Sequence, residues 1–71
     1  MKVYGIVIED AGSNFSAYAP DVPGCVATGE TVEEVTANME TALAMHFELM
    51  RESGEAIPEP QFRAGLATVS L

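Results

Sequence analysis

The feature that most constrains this chain is a helix start near its middle. Thr31-Val32-Glu33-Glu34 has capping-box spacing. A Thr hydroxyl can accept the backbone N–H three residues on, and the Glu at that position can reach back to the N–H of Thr31. Glu33 and Glu34 also complement the positive end of the helix dipole. The pattern predicts a helix over 32–53, with Gly54 as the residue after the cap and Pro58 blocking resumption. At 100° per residue, Val32, Val35, Met39, Ala42, Leu43, His46, Phe47, Leu49 and Met50 share one arc, with Glu33, Glu34, Glu40, Glu48, Arg51 and Glu52 opposite. A long helix with one apolar face needs a sheet to pack on, and only 71 residues are available to supply it.

The sheet is read on both sides of that helix. Residues 3–8 (V-Y-G-I-V-I) are β-branched and predict a strand. Gly12 and Asn14 supply turn chemistry, and 15–19 predicts a second strand paired as a hairpin. Pro20 to Gly24 is a stiff connector, and 25–28 predicts a short third strand closed by Gly29. Residues 62–71 predict a fourth strand, reached through the helix and therefore parallel to a neighbour. The expectation is an α+β fold, β-β-β-α-β. It has a four-stranded mixed sheet in the order 3-2-1-4 under one long helix, all in a single domain over 1–71.

Charge narrows the function. Eleven acids against three Lys+Arg give a net charge of −8. Lys2, Arg51 and Arg63 make no basic patch, so direct nucleic-acid binding is not expected. A basic protein partner would be attracted instead. The one cysteine, Cys25, excludes an internal disulfide and a Cys-rich zinc site and reads as a small buried apolar residue. His46 lies on the apolar arc with no Ser, Cys or second His at helical spacing. It reads as a core or interface histidine rather than a general base. No catalytic residue, metal ligand or cofactor is expected. No apolar run approaches a membrane span and no signal region precedes residue 9, so a cytoplasmic location is expected.

Tyr18-Ala19-Pro20-Asp21-Val22-Pro23-Gly24-Cys25, followed by Thr28-Gly29-Glu30-Thr31-Val32-Glu33-Glu34, resembles the HicB family of antitoxins. There a strand ends in a pattern like F-P-D-L-P-G-C and a helix opens on G-D-T-L-E-E-A. Here Ala19 stands for the aromatic, Val22 for Leu, Glu30 for Asp and Val35 for Ala. Gly54 to Pro60 matches the family's G-x-x-I-P-x-P, so the resemblance covers residues 3 to about 60. The motif positions carried over are Pro20, Asp21, Pro23, Gly24, Cys25, Gly29, Thr31 and Glu34. The resemblance implies a fold similar to a truncated RNase H core. It also implies a non-catalytic role: binding and neutralising a small basic HicA-like toxin that cleaves mRNA. Many family members add a C-terminal DNA-binding domain, which these residues do not contain. An orphan interaction or scaffold module without a toxin is the alternative. A nuclease-like enzyme rests on fold analogy alone.

Asp21, Glu30, Glu33 and Met45 are the candidate partner-binding residues: three acids near the motif and one methionine on the helix's polar side. Asp21 also reads as a turn residue bonding nearby backbone N–H groups. In the first strand Tyr4, Ile6 and Ile8 alternate with Val3, Gly5 and Val7, and both sets are largely apolar. One helix covers one sheet face, so Tyr4, Ile6 and Ile8 are the candidate interface of a homo-oligomer, a dimer by preference.

Overall fold

A computed structural model describes all 71 residues. Strand β1 (Val7–Asp10) turns at Gly12 into β2 (Phe15–Tyr18), which leads to β3 (Val26–Gly29) and then to helix α1 (Val32–Glu52). The three strands form one antiparallel sheet in the order β1-β2-β3. The hairpin turn closes through Ala11 N–H to the Asn14 carbonyl (2.8 Å), with Gly12 at φ 97° donating to Asp10 Oδ1. An Asx-type bond of this kind is the local reason an acid precedes a glycine here.

The cross-strand register sorts side chains by face. Ile8, Ala17 and Ala27 lie opposite one another, as do Asp10, Phe15 and Gly29. These rows face α1. Val7, Tyr18 and Val26 form a row on the helix-free face. The buried core is small: Ala17, Ala19, Val22, Cys25, Val35 and Met39. Small residues on the strands let α1 approach closely. At Gly29 the approach is backbone to backbone, for a Cβ there would lie 2.6 Å from the Val35 nitrogen and 2.8 Å from its Cα.

The helix ends as its residues dictate. Thr31 Oγ1 accepts the Glu34 N–H at 3.0 Å. Gly54, at φ 75°, donates to the Arg51 carbonyl, and Glu55 donates to the Met50 carbonyl. Those two bonds are a Schellman motif. Asn38 Nδ2 ties the helix flank to the Thr28 carbonyl of β3 at 2.8 Å.

Several expectations are corrected. There is no fourth strand, and the sheet is three-stranded rather than mixed in the order 3-2-1-4. No backbone–backbone hydrogen bond forms beyond Glu55, and residues 63–71 are exposed throughout. The first strand begins at Val7 rather than residue 3, because β2 ends at Tyr18 and offers the earlier residues no partner. Tyr4, Ile6 and Ile8 are not on the helix-free face; they pack partly buried against the core under α1. The other set is displaced outward, and Phe62 lies where a Cβ of Gly5 would be. On the helix, Val32 and Leu49 belong to the apolar arc by periodicity yet stand exposed, since the sheet is too narrow to cover the full arc. The Glu34 carboxylate accepts from the Glu30 N–H (2.8 Å), one residue before the expected Thr31.

Gly29→Ala should cost about 1–3 kcal/mol, because helix backbone must move to admit one methyl group. Denaturant unfolding reads this directly, and an unchanged midpoint would show that the helix start shifts freely.

Candidate partner-binding surface

The motif loop begins where β2 ends. Val22 N–H bonds the Ala19 carbonyl (3.0 Å) and Cys25 N–H bonds the Val22 carbonyl (3.2 Å), two turns in succession. They drive Val22 into the core and place Gly24 at φ 86°. Pro20 and Pro23 stay exposed and stiffen the turns. Cys25 is buried, and burial pushes its thiol pKa up, which suits a packing residue.

Asp21 does not point to solvent alone. Its Oδ2 accepts the backbone N–H groups of Gln61 and Phe62, each at 2.8 Å, across forty residues of sequence. The same segment receives the Tyr4 hydroxyl on the Pro58 carbonyl at 2.5 Å and a Lys2–Glu59 ion pair. Asp21 therefore clamps the C-terminal segment to the motif loop, while Tyr4 and Lys2 tie that segment to the N-terminal one. Sequence reasoning allowed Asp21 a bond to nearby backbone; the actual partners are distant, and no local signal reveals them.

The other motif positions also build the frame. Gly29 admits the helix, while Thr31 and Glu34 cap it. Glu30 and Glu33 are exposed, and neither carboxylate is engaged in an ion pair. Ten of the eleven acids are exposed, whereas Lys2 and Arg51 are each engaged by a glutamate, so the surface field is strongly negative. No three His, Cys, Asp or Glu side chains converge as metal ligands would. No helix is long and apolar enough to cross a membrane.

The surface that stands out lies where the motif loop meets α1. Gly24, Cys25 and Val26 face Ala42, Met45, His46 and Leu49 across a shallow hollow of about 260 Å³. Its bare apolar wall is on α1, where Met45 is 65% exposed and Leu49 63%; Val26, 66% exposed, borders the hollow as the first residue of β3 but lies in the row on the helix-free face. His46 is half-buried at its floor with its ring edge-on to Phe47 at 6.4 Å. Asn38, Met45, Leu49 and Glu52 follow one another along the flank of α1 beside β3, and Glu48 lies next to them. The expected residue Met45 is here. Val26 and Leu49 were missed, although period two in β3 turns Val26 away from Cys25, and Leu49 lies one turn beyond Met45.

The family comparison agrees with this frame. Residues 4–68 match the model of the HicB-like antitoxin of bacterial toxin–antitoxin systems. An uncharacterised 14.9 kDa protein from the rep–hol intergenic region of Haemophilus phage HP1 (strain HP1c1) is 37% identical over 57 residues. That alignment takes in 80% of this chain but 43% of the phage protein, so the chain spans less than half of its relative. Among solved structures, a chain of the HicA3 and HicB3 toxin–antitoxin complex superposes with a TM-score of 0.73 at 33% identity, covering 84% of this chain and 70% of that one. With the match running over nearly its whole length, and with Pro20 to Cys25 and Gly29 to Glu34 building the loop and helix start just described, the chain belongs to the HicB-like antitoxin family.

Proposed function

We infer that this chain is a non-catalytic antitoxin module that binds a small, basic HicA-like toxin and blocks it by covering. One observation carries the reading: an exposed apolar pair on α1, Met45 and Leu49, bordering the hollow at the start of β3 and set beside acids on a chain of net charge −8. Apolar contact at the centre of such a patch supplies affinity, and the surrounding charge speeds encounter and selects a cationic partner. Glu30 and Glu33, at the entry to α1, join the exposed acids available to that partner. Asp21 contributes by holding residues 61 and 62 to the motif loop, a positioning role rather than a contact. The neighbouring HicA3 and HicB3 complex supports a toxin as the class of partner. Membership of an antitoxin family supports a role without catalysis.

Calorimetry against a purified basic HicA-family toxin should give a complex of nanomolar order that weakens as salt rises. Met45→Glu and Leu49→Glu replace exposed side chains, so the fold should persist while Kd rises about tenfold or more. No complex at low salt would return the chain to the orphan-module reading. Incubated with RNA and Mg²⁺, the chain should leave it intact; cleavage that Glu9→Ala abolishes would overturn the non-catalytic assignment. Asp21→Ala should speed amide exchange at Gln61 and Phe62 while leaving β1 to β3 protected. Unchanged exchange there would mean that the clamp does not hold the segment.

A further inference from the structure

His46 is the chain's one histidine, and its helical neighbours are all apolar: Leu43 and Leu49 three residues away, Ala42 and Met50 four. Its ring is half-buried at the floor of the hollow and edge-on to Phe47. Neither ring nitrogen is hydrogen-bonded within the chain, and His46 takes no part in an ion pair. Its polar atoms are therefore left to water, which reaches them from the open side. Met45 and Leu49 wall the same hollow, so a partner resting on both closes it over the ring.

No charged side chain lines that hollow. Glu48, Arg51 and Glu52 share the helix with His46 but stand outside it, and Arg51 pairs with Glu48. From the motif loop and β3 the hollow receives Gly24, Cys25 and Val26, while Asp21 on that loop is bound to Gln61 and Phe62. Neither β2 nor β3 holds a charged residue, and Tyr18 lies in the row on the other face. Glu9 and Asp10 belong to β1, the far strand of the sheet. Tyr4 packs on Phe47 with its hydroxyl on the Pro58 carbonyl. Cys25 is thus the one other titratable group at the hollow. Burial pushes its thiol pKa up, so it stays neutral and cannot balance a positive ring. A neutral imidazole can be covered here at modest cost. An imidazolium would lose its water, gain no carboxylate and face a cationic protein.

We propose that His46 is a contact of the basic partner and makes its affinity depend on pH, the neutral ring being the form that binds. This rests on the partner-binding reading of the hollow given above. The sign follows from the two states. In the free chain the ring is open to water whether or not it carries the second proton. In the complex the charged form is disfavoured twice, by lost hydration and by the positive charge of the partner. The affinity is therefore fully present above the imidazole range and falls as pH drops through it, between about pH 7 and pH 5, each complex releasing a proton as it forms. That window lies above the one in which carboxylates lose their charge, so a weakened acidic field does not imitate the effect.

Because the chain has one histidine, labelling the chain and leaving a purified basic HicA-family toxin unlabelled lets NMR follow this ring alone. Its protonation midpoint should fall by about one pH unit or more on binding. By calorimetry the toxin Kd should rise about fivefold to tenfold between about pH 7.5 and about pH 5.5. His46→Gln changes a half-buried side chain and should stay folded by circular dichroism. The wild-type rise in Kd should exceed that of His46→Gln by about fivefold, a comparison in which the toxin's own titrating groups cancel. A midpoint that stays or rises in the complex, or equal rises for the two chains, would overturn the proposal and leave the partner reading in place. No complex at about pH 7.5 would overturn both. The ring titration needs no variant and decides the matter by itself should His46→Gln fail to fold.

Discussion

Gly29 and Val35 meet backbone to backbone, and the position of most of the molecule follows from that contact. Because Gly29 has no side chain, the first turn of α1 sits directly on the end of β3. Val35 and Met39, the next inward residues of the helix, then lose all solvent exposure against Ala17, Ala19 and Cys25. Thr31 and Glu34 fix where the helix begins, and Asn38 bonds it to β3 one turn on, so its direction over the sheet is set within two turns. From that point the far end of α1 is carried past the sheet, which is only three strands wide.

That narrowness explains the surface. A helix of 21 residues over strands of four residues each has more apolar side chains than the sheet can cover. The surplus is left on both flanks. Beside β3 it is Met45 and Leu49, and beside the N-terminal segment it is Leu43 and Phe47 across from Tyr4 and Ile6. Fully burying such a side chain stabilises by about 1.5–3 kcal/mol, a large share of the total for a domain of this size. Partner binding on the β3 side, as proposed above, would be one outlet for that surplus.

The parts of the fold legible in the sequence are those whose physics is local. The capping box, the Gly54 stop and the hairpin turn each depend on bonds spanning a few residues, and the helix falls within one residue of its expected end. What failed depends on distant partners. Strand character in residues 62–71 is real as a pattern, but a strand exists only with a neighbour, and no strand of the sheet pairs with these residues. The side on which Tyr4, Ile6 and Ile8 would pack was equally unreadable, because both faces of that segment are apolar and alternation alone does not choose between them. At the candidate surface, Met45 was legible as an apolar residue on a polar face. Leu49 was not, because its burial depended on a sheet width that periodicity cannot report.

The motif residues by which the family is recognised turn out to sit mostly inside the frame. Asp21 is the clearest case, since an acid between two prolines on a strongly acidic chain invites a reading as a contact for a basic partner. Yet its Oδ2 already accepts two backbone N–H groups, and turning the carboxylate toward a partner would leave those donors unpaired. On the reading proposed above, the apolar contact to a partner falls to Met45 and Leu49 on the exposed helix flank, which are not motif positions. Those positions can change without disturbing the loop, the cap or the glycine contact. A scaffold whose motif residues sit in the frame can keep its fold while exposed side chains such as Met45 and Leu49 vary, because those side chains take no part in the loop, the cap or the glycine contact.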